Sequence, residues 1–215
     1  MPTGRSVLLA GATGLVGREC LRLLLDAPDV ARLVVLTRRA LPSRLVAERH
    51  KAKLEVYEID FSRLDQHLPL FNVDQIVCTL GTTLKQAGSR ERFRTVDFDY
   101  VHTLARLGAK RGVHHFLLVS SLGANPRSRV FYNRVKGEIE QAVRAIPYRS
   151  VTILRPSLLL GERTDVRPGE RIAGFFAFLT PRKYKPVPAR LVAAAIVRAA
   201  REDAQGVRII ESEAM

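Results

Sequence analysis

Short apolar runs alternate with longer amphipathic stretches along this chain, and the alternation predicts strands and helices in turn. The apolar runs lack a regular polar alternation, which is typical of strands that are buried on both faces. Strands separated by helices pair in parallel, so we expect a parallel sheet with helices on both sides. The predicted strands cover residues 7–10, 31–37, 54–59, 74–80, 115–120 and 150–155, with 208–210 as a candidate closing strand.

Helical spacing of apolar residues begins directly after the first run, with Val16, Cys20 and Leu24 on one face. The chain has 215 residues, of which 47% are apolar and 26% are charged, and this fits one globular domain spanning 1–215. The expected fold is a doubly wound parallel α/β sheet, the Rossmann fold. Further helices are predicted over residues 89–110, 128–146 and 188–202.

A glycine-rich turn, GATGLVG, joins the first predicted strand to the first helix. Glycines there allow a tight turn, let backbone N–H groups approach a pyrophosphate and let the helix pack closely on the sheet. The same sequence also occurs as an ordinary tight turn, but a strand before it and a helix after it favour a dinucleotide site. The residues expected to contact the nucleotide are Gly11, Thr13, Gly14, Leu15, Val16 and Gly17.

Two arginines follow the second predicted strand, where NAD enzymes usually carry an acid for the ribose 2′-hydroxyl. Arg38 and Arg39 suit a 2′-phosphate instead, because guanidinium groups bind phosphate in a bidentate manner. NADP(H) is therefore favoured, while NAD(H) remains an alternative cofactor. The other interpretation is that both arginines form a solvated pair on the surface.

Ligands of parallel sheets bind beyond the carboxyl ends of the strands, which makes the residues after each strand candidates for the site. Asp60 would accept a hydrogen bond from an adenine amino group, with Phe61 beside it, or would instead cap a helix. The remaining candidates after strands are Leu80, Gly81, Thr82 and Thr83 for the cofactor and Ser120 and Ser121 for the substrate oxygen.

Tyr132 and Lys136 lie four residues apart in a predicted helix and therefore share one face. Reduction of a carbonyl requires a proton at oxygen, which a tyrosine can supply. A free phenol holds that proton tightly near neutral pH, and a lysine one turn away favours the phenolate. A tyrosine and a lysine at this spacing also occur by chance, so the glycine turn is needed to support the catalytic interpretation.

The order of these motifs resembles that of the atypical short-chain dehydrogenases/reductases over nearly the whole chain. Within that superfamily the chain is similar to the HIV-Tat-interacting-protein-like oxidoreductases, through the runs LGTT at 80–83, VDFDY at 96–100 and VKGE at 135–138. The resemblance implies a Rossmann fold, an NADP(H) cofactor and a Ser-Tyr-Lys set of Tyr132, Lys136 and Ser121 or Ser120, with Ser121 as first choice. Asp97 stands where many of the resembling enzymes carry an asparagine.

Two functions from different classes follow from these patterns. The first is an NADP(H)-dependent oxidoreductase that acts on a small carbonyl substrate. The second is a non-catalytic regulator that binds the dinucleotide and signals to a protein partner, since the resembling family includes proteins of that kind. A homodimer through the helix of Tyr132 is a further expectation from related enzymes.

Composition excludes several other classes. The net charge of +14 is spread along the chain without a lysine-rich block, so no specific nucleic-acid binding is expected. The spacing of the two cysteines and five histidines fits no metal site and no hydrolase triad. The first apolar run is too short for a secretory signal and no stretch is long enough to span a membrane, which predicts a cytoplasmic protein.

The stretch 161–188 is long for a connection and rich in charged and aromatic residues. Such a segment is expected to form a lid or a substrate-facing wall. The alternative is that its aromatic residues pack on the core or on a neighbouring subunit.

Overall fold

The computed structural model describes residues 4–42, 45–160 and 184–215. Within these residues, seven parallel strands form one sheet in the order β3-β2-β1-β4-β5-β6-β9. This arrangement confirms the doubly wound α/β fold. The strands are β1 Arg5–Ala10, β2 Val30–Thr37, β3 Leu54–Glu58, β4 Gln75–Cys78, β5 His115–Val119, β6 Ser150–Arg155 and β9 Gly206–Glu211, and a separate pair comprises β7 Leu159–Leu160 and β8 Val187–Pro188.

Helices cover both faces of the sheet, because each carries one apolar stripe that must be buried. On one face the helices Leu15–Asp26 (α1) and Ala189–Glu202 (α6) pack against Leu9, Val35 and Val77. On the other face the helices Tyr100–Lys110 (α4) and Phe131–Arg144 (α5) pack against Leu8 and Phe116. The α-helices are α1 Leu15–Asp26, α2 Leu84–Ala87, α3 Arg90–Arg94, α4 Tyr100–Lys110, α5 Phe131–Arg144 and α6 Ala189–Glu202. A π-helical turn, Thr95–Asp99, joins α3 to α4, and short 3₁₀ segments cover Glu48–His50, Phe61–Phe71 and Ser212–Ala214.

The register of the parallel strands brings the end of every central strand to the same edge. Ala10 pairs with both Leu36 and Cys78, Cys78 pairs with Leu118, and Val119 pairs with Leu154. The residues that follow β1, β2, β4 and β5 therefore meet at this carboxyl edge, as expected for such a sheet.

The structure differs from the sequence prediction mainly where tertiary contacts decide the backbone. The helix predicted over 89–110 contains the π-helical turn. Phe61–Phe71, where a helix follows only from the capping alternative for Asp60, is 3₁₀-helical with breaks at Arg63 and His67. The fourth strand, predicted over 74–80, is shorter at both ends. At its amino end the Asp74 carboxylate accepts hydrogen bonds from the backbone N–H and the hydroxyl of Ser6, and at its carboxyl end Thr79 and Leu80 already belong to the loop. Residues 161–183, most of the expected lid, lie outside the described residues.

A buried histidine cluster ties the amino ends of β5 and β6 to the end of α6. The His115 ring is fully buried, with Nδ1 lying 2.8 Å from Asp203 Oδ1 and Nε2 lying 3.0 Å from Thr152 Oγ1. The Asp203 carboxylate also contacts His114 and Arg149. This cluster lies at the edge opposite to the carboxyl ends of the strands, so it has a structural role.

We expect His115 to make stability depend on pH. Burial of the ring outweighs the attraction of Asp203 and lowers the pKa of His115 from 6.5 to about 4. Between these pH values the folded chain binds fewer protons than the unfolded chain, so acidification across this window lowers the free energy of unfolding by up to about 3 kcal/mol. In a His115→Gln variant the decrease in the free energy of unfolding that is due to His115 should be absent. Urea unfolding of both proteins at pH 7, 5.5 and 4 measures this difference.

The control for this prediction is His67→Gln, which changes a histidine of the 3₁₀ segment Phe61–Phe71 that makes none of the contacts described for the cluster. It should lose stability on acidification as the unmodified protein does. Equal losses in the His115→Gln variant and in the unmodified protein would contradict the assignment.

Candidate functional site

The glycine turn after β1 is built so that the first helix packs directly against it. Gly11 has φ +94°, a conformation that favours glycine, and its carbonyl accepts a hydrogen bond from the Gly14 backbone N–H at 3.0 Å. A Cβ on Gly17 would lie 2.0 Å from the Gly11 carbonyl oxygen. Only a hydrogen at position 17 therefore allows α1 to begin this close to the strand.

The amino end of α1 offers backbone N–H groups to a ligand. Gly14 is the N-cap, and no side chain caps the helix there. The first N–H groups of a helix have no partner within the helix, and the helix dipole adds positive potential at this end. Together with the turn, this end forms a seat for an anion, as the sequence predicts for Thr13, Leu15 and Val16.

Two residues that the sequence analysis does not identify support this seat. Thr79, directly after β4, donates a hydrogen bond from Oγ1 to the Ala10 carbonyl at 3.0 Å, and a Cβ on Gly11 would lie 2.6 Å from the same hydroxyl oxygen. Arg18 donates from Nε to the Thr13 carbonyl at 3.0 Å. Arg18 comes directly after the last glycine of the turn, so the sequence alone could have indicated its contact with the turn. The contact of Thr79 could not be predicted in this way, because it depends on the pairing of β1 with β4.

The loop after β4 forms the second wall of the site. Leu80, Gly81, Thr82 and Thr83 all line a cleft that the glycine turn also lines. The Thr83 hydroxyl accepts a hydrogen bond from the Gln86 N–H and so caps α2. The short helix α2, which begins at this cap, fixes the direction in which the loop after β4 leaves the sheet.

A buried ion pair lies at the bottom of the cleft. The Lys136 ammonium is 2.7 Å from Asp97 Oδ1, and the side chains are only 6% and 0% exposed. Burial favours the neutral amine, but the Asp97 carboxylate and the neighbouring Tyr132 outweigh it and hold the pKa of Lys136 above its ordinary value. Tyr132, one helical turn before Lys136, lines the same cleft and packs on Phe93.

Both serines after β5 have buried hydroxyl oxygens without a hydrogen-bond partner among the described residues. Ser120 lines the cleft together with Tyr132 and Lys136. Ser121 follows it but is not among the described lining residues, and its expected role stays a prediction. A buried hydroxyl without a partner is costly unless a ligand or water binds it, so Ser120 is available to orient one.

The outer candidates lie on the surface near this edge. Arg38 and Arg39 are exposed after β2, where the Thr37 hydroxyl donates to the Arg39 carbonyl at 2.7 Å. Asp60 is exposed and accepts a hydrogen bond from the Ser62 N–H at 2.9 Å, which is the capping role considered as its alternative. Phe61 is buried against Tyr100, so its side chain belongs to the core.

The cleft has a volume of about 980 Å³, and both polar and apolar residues line it. Arg18 and Lys85 contribute cationic side chains. Tyr184, from the stretch 161–188 that is expected to face the substrate, lines it as well. Five further lining residues lie beyond β5 and β6 and are not among the predicted site residues: Leu122, Pro156, Ser157, Leu158 and Leu159.

The described part of the chain contains no cluster of three or more metal-ligating side chains. Among the described residues, no helix combines the length and the apolar character that a membrane crossing requires.

Comparison of the sequence with known proteins identifies a family and several relatives. A family model described as NAD(P)H-binding matches residues 11–203. The mitochondrial protein fmp52 of Emericella nidulans is 36% identical over 175 residues, covering 80% of this chain and 74% of that protein. Protein HTATIP2 of Rattus norvegicus is 36% identical over 173 residues, covering 80% of this chain and 70% of that protein.

Solved structures agree on the fold. A UDP-N-acetylglucosamine 4-epimerase from Methanobrevibacter ruminantium superposes with a TM-score of 0.74 at 15% identity, covering 97% of this chain and 77% of the epimerase. The Bordetella bronchiseptica enzyme WbmH in complex with NAD⁺ superposes with a TM-score of 0.71 at 16% identity, covering 97% and 75% of the two chains.

The expected cytoplasmic location is wrong by these comparisons. Several of the similar curated proteins, including the fmp52 proteins of Emericella nidulans, Aspergillus clavatus and Saccharomyces cerevisiae, are named mitochondrial. The prediction relied on the length of the first apolar run, which carries no information on the choice between the cytoplasm and an organelle.

A methyl group at position 17 should damage the fold, whereas one at position 14 should not. Gly17→Ala places a carbon against the Gly11 carbonyl and is expected to lower the free energy of unfolding by about 3 kcal/mol. Gly14→Ala is the matched control, because its Cβ would lie 3.4 Å from the same oxygen and its φ of −75° is allowed for alanine. Its cost should stay below about 1 kcal/mol.

Denaturant unfolding of the two variants checks this prediction. An equal loss in both variants would show that close packing of α1 on the turn is not the constraint.

Proposed function

This chain belongs to the NAD(P)H-binding family of atypical short-chain dehydrogenases/reductases, and from that membership we propose that it is an oxidoreductase that reduces a small carbonyl compound with NADP(H). The observation that carries the proposal is the convergence of Tyr132, Lys136 and Ser120 on the cleft that begins at the glycine turn. The turn and the three side chains come from distant parts of the chain.

The residues present fit a dinucleotide in several independent ways. The turn excludes side chains at Gly11 and Gly17, and the uncapped end of α1 suits a pyrophosphate. The loop after β4 lines the same cleft as the turn, which lets its backbone approach the nucleotide from the other side. The residues that would hold the cofactor are Gly11, Thr13, Gly14, Leu15, Val16, Gly17, Leu80, Gly81, Thr82 and Thr83, with Lys136 on the ribose.

When bound, a reduced nicotinamide supplies a hydride to the carbonyl carbon. Tyr132 is proposed to donate its phenolic proton to the carbonyl oxygen, so that no alkoxide is released. The ammonium of Lys136 stabilises the phenolate that remains, because an opposite charge nearby favours the ionised form.

Ser120 is proposed to donate a hydrogen bond to the carbonyl oxygen and so to hold it near Tyr132. Ser121 is the second candidate for this role. The apolar wall of Leu122, Leu158 and Leu159 favours a substrate whose remaining part is hydrophobic.

The preference for NADP(H) over NAD(H) is proposed from the end of β2. Arg38 and Arg39 are exposed there, and the residue that ends the strand is Thr37 rather than an acid. Two guanidinium groups attract a 2′-phosphate, and the lack of a carboxylate at this position avoids repulsion.

Removal of the Tyr132 hydroxyl should abolish turnover and leave the cofactor site intact. Loss of NADPH absorbance is followed with a panel of aldehydes, ketones and quinones, and Tyr132→Phe is expected to be slower by about 100-fold or more. Its affinity for NADPH should remain within about threefold. Tyr57→Phe, on edge strand β3 outside the cleft, is the control and should keep full activity.

A protein that binds NADPH but turns over no compound of the panel would contradict the enzymatic proposal. That result would favour the non-catalytic regulator instead.

Arg38→Ala should weaken NADPH binding by about tenfold, because one charge-assisted hydrogen bond to phosphate is lost. NADH binding should not change, since NADH lacks the 2′-phosphate. Titration calorimetry with both nucleotides measures the two affinities, and Arg106→Ala, exposed on α4, is the control. Equal affinities of the unmodified protein for NADPH and NADH would refute the assignment.

A further inference from the structure

The carboxylate of Asp97 joins two walls of the cleft. Oδ1 lies 2.7 Å from the Lys136 ammonium on α5, and Oδ2 accepts a hydrogen bond from the Thr82 backbone N–H at 2.8 Å. Asp97 is fully buried, so both contacts are shielded from water. One side chain therefore connects the helix that carries Tyr132 with the loop after β4.

The backbone that presents Asp97 is unusual. Asp97 lies in the π-helical turn Thr95–Asp99, which interrupts an otherwise α-helical stretch. Single π turns inside helices insert one residue and re-aim the side chains there, and they are frequent at functional sites. The π-helical turn presents the Asp97 carboxylate to the core, because Asp97 is buried together with Phe93 before it and Val101 after it.

Gly81 brings the cleft to the ion pair. A Cβ on Gly81 would lie 3.4 Å from Asp97 Oδ1 and 3.6 Å from Lys136 Nζ. The backbone of the cleft loop therefore lies directly against both charged atoms.

We propose that Asp97 is a positioning residue, which holds the Lys136 ammonium and the Thr82 amide in a fixed relation at the bottom of the cleft. The effect of Asp97 on the reaction rests on the oxidoreductase function proposed above. The effect of Asp97 on the position and charge of Lys136 is independent of that function.

The second consequence concerns the charge of Lys136. Within the described ranges of the chain, three titratable groups face its ammonium, namely Asp97 from the π-helical turn, Tyr132 from α5 and Cys78 from β4. Burial raises the pKa of Cys78 to about 12, so this thiol is neutral near physiological pH. Asp97 is the only carboxylate of the three and therefore supplies the charge that keeps a buried lysine protonated.

An asparagine at position 97 would keep the shape of the side chain and one hydrogen-bonding oxygen but would remove the negative charge. Its amide oxygen can still accept one of the two hydrogen bonds, but it has no charge to balance the ammonium. The pair in this chain is neutral as a whole, so Tyr132 faces an ion pair rather than an isolated cation. The exchange Asp97→Asn therefore changes the electrostatics with little change in shape.

The test is a titration of the lysine side chains by NMR, with ¹³C-labelled lysine in the full-length protein and without cofactor. The Lys136 signal is assigned by its loss in Lys136→Met. In the unmodified protein this signal should keep its protonated position beyond pH 10.5, the ordinary lysine value. In Asp97→Asn it should titrate at a lower pH than in the unmodified protein, because burial is then no longer balanced.

Asp99→Asn is the matched control, since Asp99 lies two residues away in the same turn but is exposed. It should leave the Lys136 titration unchanged. An unchanged titration in Asp97→Asn, or a Lys136 signal in the unmodified protein that titrates below the ordinary value, overturns the proposal. The second criterion applies even if Asp97→Asn does not fold.

NADPH affinity, measured from pH 7 to pH 10, separates this inference from the proposed function. If Lys136 binds the ribose as a charged donor, Asp97→Asn should lose about tenfold or more in affinity over this range beyond any loss in Asp99→Asn. A shifted lysine titration without this loss supports the role of Asp97 and contradicts the cofactor role of Lys136.

Discussion

The parallel register of the central strands is the constraint on which the site depends. Because Ala10, Leu36, Cys78 and Leu118 are aligned, the chain leaves four strands at one edge of the sheet. The glycine turn, the arginines after β2, the loop after β4 and Ser120 all occupy the next few positions. Parallel strands need crossover helices, and the same requirement brings the start of α1 against the turn and α5 against the cleft. Architecture and site therefore have one cause.

Close packing and buried charge act together at this edge. The helix α1 approaches the Gly11 carbonyl so closely that Gly17 admits no side chain, and this approach directs the positive end of the helix into the cleft. At the bottom of the cleft, burial favours the neutral amine of Lys136, and the Asp97 carboxylate opposes this effect and helps to hold the pKa of the lysine above its ordinary value. The Thr82 amide satisfies the second carboxylate oxygen. These contacts of Asp97 join α5, the π-helical turn and the loop after β4 at the bottom of the cleft.

Much of this could be predicted from local sequence patterns. Apolar runs gave the strands to within one or two residues in most cases, and β6 matched at both ends, because burial on both faces leaves a clear signal. The shared face of Tyr132 and Lys136 followed from helical spacing alone. The π-helical turn, the 3₁₀ segment Phe61–Phe71 and the contact of Thr79 with Ala10 did not, since they arise only when distant elements pack. For Asp60 the sequence allowed a helix cap or an adenine contact, and the structure shows the cap, with the carboxylate accepting from the Ser62 N–H.

The fold alone does not decide between an enzyme and a nucleotide-binding regulator, since sugar-nucleotide epimerases share it at 15% identity. The side chains of the cleft carry more weight. A protein that only bound a dinucleotide would need the glycine turn and the uncapped helix end, both of which lie near β1. It would not need a phenol one turn from a buried ammonium, nor a buried serine hydroxyl in the same cleft that has no hydrogen-bond partner in the described part of the chain. Burial of the charged Lys136 and Asp97 side chains costs free energy that their mutual contact must offset. Such a buried pair beside Tyr132 therefore favours proton transfer as the function of this part of the site.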